Sequence, residues 1–262
     1  MSDGVDPVGR VERLMGTAVS MRLYRGGLTE EDARTRLAAG FALMRRIDAI
    51  FSLWKPDSAM SALRGGRLDP AQAPPAVETV AALCREAKEA SGGWFDPWAL
   101  PGGYDPTGLV KGWAAEQALG SLVVPGVMGA MVNAGGDLAV SGTPSEGRWR
   151  IGIDHPWHPD ALAGVVEIEG AIATAGTYRR GPHLVDPRGA PWRGRVVSAT
   201  VTGPSLAMAD ALSTALAVAG EQGLSMLASI GGYEGYLVLS NGSEYRSEGF
   251  LFAEPGATSR AR

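Results

Sequence analysis

Long apolar runs, charge of one sign, cysteine and recognisable nucleotide signatures are all scarce or missing in this chain. No stretch approaches the roughly 18 apolar residues that a membrane-spanning helix needs. The 24 Lys and Arg against 28 Asp and Glu leave a net charge of −4, which gives no global pull toward nucleic acid or anionic membranes. One cysteine, Cys84, excludes a disulfide within the chain, and its place in an apolar helical pattern predicts a small buried hydrophobe. The opening "MSDGVDPVGRVERLMG" lacks the basic-then-apolar pattern of a signal peptide. A cytoplasmic protein is expected, unless a leader was trimmed. No G-x-G-x-x-G follows a strand, and "GYDPTGLVKG" (103–112) carries Leu109 where a phosphate-binding loop needs Lys.

What is present suffices for a large core: 262 residues, of which 45% are hydrophobic. The 37 glycines and 17 prolines promise many loops and show no low-complexity period. Helical spacing runs through 29–51 behind a Thr cap and an acidic first turn, through 76–93 up to paired glycines, and through 107–122. Short β-like runs then follow in series: "GAMVNA", "DLAVSG", "WRIGI", "GVVEIE", "AIATAG" and "VVSATVTG". After the helical "SLAMADALSTALAVAG" (205–220) come "YEGYLVLS" and "GFLFA". The order is neither regular βαβ alternation nor a solenoid. It predicts one α+β domain over 11–252, a mixed and mainly antiparallel sheet packed with helices, between flexible ends at 1–10 and 253–262.

Several constellations combine chemistry-bearing residues. Asp210 and Thr214 stand one turn apart on an otherwise apolar helix. A carboxylate over a hydroxyl supplies the hard oxygens that suit Mg²⁺, and a half-exposed Asp beside a back-bonded Thr is the plainer alternative. "GPHLVDPRG" (181–189) sets His183 three residues before Asp186, as a general base or as part of an Asx turn. "NAGGDLAVSG" (133–142) reads equally as a close ligand approach or a hairpin turn. "DPTGLVKG" (105–112) starts a helix at which either a phosphate or a simple cap fits. His155 and His158, in "IDHPWHPD", have metal-like spacing, but the flanking prolines point to a surface loop.

Taken in order, "MGT" (15–17), "FSLWKPDSAMSAL" (51–63), "GWFDP" (93–97), "DPTGLVKGWA" (105–114), "VNAGGDLAVSG" (132–142), "IATAGTYRRG" (172–181), "HLVDPRG" (183–189) and "ADALSTAL" (209–216) form a set. With this set the chain resembles the FAD:protein FMN transferases, formerly called thiamine-biosynthesis lipoproteins. The resemblance implies an enzyme that cleaves the pyrophosphate of FAD, releases AMP, and joins FMN by a phosphoester to a Thr or Ser of an acceptor flavoprotein. It implies an FAD and metal site in a central cleft. Mg²⁺ would be held by Asp210, Thr214 and the backbone carbonyl of Gly108, with Ser213 a bystander. His183 matches the base. Phe95, Asp96, Asp105 and Lys111 match stretches lining the FAD site. Met15, Gly16 and Thr17 match the segment by the flavin ring, and Trp54 stands where many members have a stacking Tyr. The chain departs from the family at "TAGTYRR", where Thr177 and Arg179 replace two acids, so Arg179 or Arg180 is expected at phosphate instead. Two rival activities stay open: an FAD pyrophosphatase giving free FMN and AMP, and a non-catalytic FAD-binding protein.

Overall fold

The structure, a computed structural model, describes residues 7–100, 102–158, 160–177, 184–189 and 194–255. Eight strands form the main sheet: β1 (Val8–Leu14), β2 (Thr17–Arg25), β3 (Val127–Ala134), β4 (Asp137–Gly142), β7 (Ala171–Gly176), β8 (Val196–Gly203), β9 (Glu234–Leu239) and β10 (Glu244–Arg246), in that spatial order. The order skips β5 (Trp149–Asp154) and β6 (Leu162–Ile168), which join β11 (Phe252–Pro255) in a second sheet ordered β11-β6-β5. Among the described residues every pairing is antiparallel, so the expected mixed sheet is antiparallel throughout.

Six helices complete the chain: α1 (Glu30–Phe51), α2 (Ala59–Arg64), α3 (Pro75–Ala90), α4 (Thr107–Leu122), α5 (Leu206–Ala219) and α6 (Gln222–Ile230). Thr29 caps α1 as expected, its side chain accepting a hydrogen bond from the Asp32 N–H at 3.1 Å.

Both faces of the main sheet are covered, which explains why its strands read as apolar runs rather than alternations. On β3, Ala130, Val132 and Ala134 turn to the helices, while Met131 joins the apolar layer shared with the small sheet. On β4, Ala139 faces the helices, and Leu138 and Val140 face the other layer with Trp149 and Ile153 of β5. The small side chains on the helix side let α4 and α5 lie close to the sheet. Helix α5 is buried along almost its whole length, between a Ser205 cap and Gly220 at φ +65°.

The ends are more ordered than the composition suggests. Val8 to Arg10 pair with β2, and β11 reaches into the segment expected to be a loose tail. No helix among the described residues is long and apolar enough to cross a membrane.

Cys84, on α3, is fully buried and accepts a weak hydrogen bond from the Tyr104 hydroxyl at 3.8 Å. Burial pushes its thiol up to about 12. Native protein at pH 8 should therefore leave a thiol-reactive chromophore such as DTNB unreacted, and one equivalent should react once the chain is unfolded.

Candidate functional site

Two hairpin turns and the facing ends of three helices border one cleft of about 1260 Å³. Between β1 and β2, Met15 and Gly16 form a two-residue turn with φ of +52° and +74°. Left-handed backbone at both central positions is what a tight hairpin demands. Met15 is the only non-glycine among the described residues with positive φ, a conformation that costs a side-chain-bearing residue about 1 kcal/mol or more. Between β3 and β4, Gly135 and Gly136 turn with φ of +71° and +107°, and the Asn133 side chain accepts from the Gly136 N–H at 2.8 Å. A Cβ on Gly135 would fall onto the Thr17 side chain, so glycine is what lets the two turns touch.

Helices α4 and α5 supply the polar floor. The Asp210 carboxylate, on a residue only 6% exposed, accepts from the Gly112 N–H at 3.0 Å. The Lys111 ammonium lies 3.3 Å from Asp210 Oδ2 and pairs still more closely with Asp137 Oδ2. Asp137, 4% exposed at the start of β4, accepts through Oδ1 from the Thr174 N–H at 2.9 Å. Two carboxylates thus share one ammonium, leaving a buried net negative charge at the bottom of the cleft.

Gly108 sits opposite. A Cβ there would stand 3.1 Å from Phe95 Cε2 and 3.8 Å from Thr214 Oγ1, so the bare backbone, the Thr214 hydroxyl and the Asp210 carboxylate converge. Hard oxygen donors beside an uncompensated negative charge fit a divalent cation such as Mg²⁺. The pattern holds no cluster of three or more His, Cys, Asp or Glu, and none occurs among the described residues. Ser213 is turned inward, donating to the Asp210 carbonyl at 2.9 Å, as a bystander would.

At the start of α4, Asp105 Oδ1 accepts from the Thr107 N–H at 3.0 Å, and Oδ2 lies 3.7 Å from the Arg64 guanidinium. That helix end therefore already carries an anion of its own. Asp96 is held by Lys88 at 2.7 Å and by the Trp98 N–H at 3.0 Å. At the rim, Trp54 is 83% exposed, an indole face open to solvent.

Met15, Gly16, Thr17, Trp54, Phe95, Asp96, Asp105, Gly108, Lys111, Asp210 and Thr214 all line this cleft, drawn from five separate segments. His183, Arg179 and Arg180 lie outside the described residues. The cleft also contains residues that the sequence did not single out, above all Asp137, with Asp48, Lys55 and Asp154. The signal for Asp137 was the glycine pair before it, which a plain hairpin explains equally well. His155 and His158 are not among the lining residues: His155 is buried beside β5, its Nδ1 accepting from the Trp157 N–H at 3.3 Å. Desolvation and the nearby His158 hold the His155 imidazole below its usual range.

Comparison with known proteins finds that a model of the ApbE family matches residues 15–102 and 103–237. An FAD:protein FMN transferase of Rhodobacter capsulatus is 34% identical over 160 residues, 57% of this chain and 29% of that protein. One from Vibrio cholerae serotype O1 is 35% identical over 130 residues, 45% of this chain and 39% of that protein. The matches span less than half the length of these curated relatives. The solved flavin transferase ApbE from Vibrio cholerae superposes with a TM-score of 0.80 at 22% identity, over 94% of this chain and 98% of that one, which establishes the fold.

Proposed function

The chain belongs to the ApbE family, and from that premise we propose that it transfers the FMN portion of FAD to a Thr or Ser hydroxyl of an acceptor protein, releasing AMP. The observation that carries this reading is the convergence of five distant segments on one cleft whose floor pairs hard oxygens with a buried negative charge.

The chemistry is a phosphoryl-type transfer. The acceptor oxygen bonds to the FMN-side phosphorus, the bond from that phosphorus to the bridging oxygen breaks, and AMP leaves with the electron pair. The hydroxyl proton goes to a base, the role proposed for His183. Asp210, Thr214 and the Gly108 carbonyl would hold Mg²⁺, which when bound neutralises pyrophosphate charge and keeps it in line. Lys111 adds a second positive group at the same end of the cleft. The turn of Met15, Gly16 and Thr17, with Trp54 at the rim, is proposed for the flavin ring, since an indole stacks on a flat heterocycle at least as well as a phenol. Phe95, Asp96 and Asp105 are proposed to line the remainder.

Co-expression with candidate acceptors, followed by a denaturing gel and mass spectrometry, tests the proposal. The expected result is an ultraviolet-fluorescent acceptor band with FMN on a Thr or Ser, formed only with FAD and Mg²⁺. Release of free FMN and AMP with no labelled protein would establish a pyrophosphatase instead. FAD bound but unconsumed would establish a binding protein.

A further inference from the structure

We infer that Asp137 is a positioning residue: it holds the Lys111 ammonium off the ligand face of Asp210 and so sets the affinity of the cation site. The inference rests on the cation reading given above for Asp210.

The geometry is asymmetric. The three side chains are almost wholly enclosed, with exposures of 12% for Lys111, 6% for Asp137 and 9% for Asp210. The ammonium contacts Asp137 Oδ2 most closely, and reaches Asp210 only at 3.3 Å from Oδ2 and 3.4 Å from Oδ1. Asp137 is in turn fixed by the Thr174 N–H of β7, and Asp210 by the Gly112 N–H of α4. The ammonium therefore belongs chiefly to Asp137 and leans on Asp210. A cation approaching Asp210 meets a carboxylate that is oriented but not fully neutralised. Without the Asp137 charge, the same ammonium would have Asp210 as its charged partner among these three and would compete with an entering cation for it.

Charge count then ranks the variants. The wild type has two negative groups and one positive group here, a net charge of −1. Asp137→Asn brings the count to zero while its side-chain oxygen still accepts from Thr174. Lys111→Met brings it to −2 with a stem of similar length, and the double variant restores −1. At close range in a partly buried site, one unit charge is expected to shift divalent affinity by about tenfold or more.

The test uses FAD-free protein, with Mn²⁺ titrated by electron paramagnetic resonance and Mg²⁺ as competitor, after circular dichroism has established that each variant is folded. Asp137→Asn should weaken Mn²⁺ binding by about tenfold or more, Lys111→Met should tighten it, and the double variant should return to within about threefold of wild type. A purely structural role would instead make each substitution weaken binding and the double variant weakest. That outcome, or unchanged affinity in Asp137→Asn, would overturn the inference and leave the cation site standing. Wild type that binds no Mn²⁺ would overturn the cation reading itself, and the inference with it.

Discussion

Asp210→Ala is expected to lower kcat/KM for FMN transfer by about 10³-fold or more, while the protein remains folded. The size follows from the kind of chemistry. Phosphoryl transfer depends on neutralising and aligning charge rather than on covalent help, so loss of the main anionic ligand removes stabilisation concentrated in the transition state. The fold should survive because the substitution leaves Lys111 with its closer partner, Asp137. What is lost is the acceptor for the buried Gly112 N–H, at a cost of about 1–3 kcal/mol. Asp210→Asn separates the two effects. Its side-chain oxygen can still accept from Gly112, so denaturant unfolding should show near wild-type stability, yet activity should fall nearly as far. Steady-state kinetics beside urea unfolding of the two variants checks both statements. Activity that survived either change would remove the cation from Asp210.

That acid was visible in the sequence because it breaks a rule. A carboxylate in an otherwise apolar helix needs a partner, and Thr214 one turn on shares its face. Helices α1, α3, α4 and α5 were legible for related reasons: long periodic patterns, a Thr cap before α1, paired glycines after α3. Strand β1 was not. Its sequence "VGRVERL" buries only Val8 fully and sits at the edge of the sheet, so composition reads it as a polar end. Helix α2 spans only six residues, too few to carry a period. The split into two sheets was hidden for a different reason. That β4 pairs with β7 while β5 and β6 fold away is decided by which apolar faces meet, a long-range matter that no local pattern records. Asp137 falls in the same class. It precedes Lys111's other partner, Asp210, by 73 positions, and only the approach of β4 to α4 and α5 makes it part of the floor. The first-named site residues came through the ordered resemblance; their joint presence in one cleft is a property of the fold.

The second large effect is expected at Gly112, where stability and site are one problem. A Cβ at this position of α4 would overlap the Leu206 carbonyl oxygen of α5, and would lie 2.9 Å from the Leu206 carbonyl carbon and 3.0 Å from Asp210 Cβ. Two of those three atoms are backbone, so no rotamer change relieves the overlap; the helices must move apart. They are also tied nearby, the Glu116 carboxylate accepting from the Leu206 N–H. Intrinsic helix propensity favours Ala over Gly by about 1 kcal/mol, yet the clash acts against it with the larger magnitude. Gly112→Ala should therefore destabilise the protein by about 3 kcal/mol or more. The molecules that remain folded should bind Mn²⁺ poorly, because separating α4 from α5 draws the Gly112 N–H away from Asp210. Gly120 provides the opposite sign on the same helix: it is exposed, and a Cβ there meets nothing within 4 Å. Gly120→Ala should raise stability by about 0.5–1 kcal/mol with activity unchanged. Urea unfolding of the two variants measures the difference. Equal effects at both positions would mean that α4 and α5 do not meet through Gly112, and the cation floor built on that contact would fall with it.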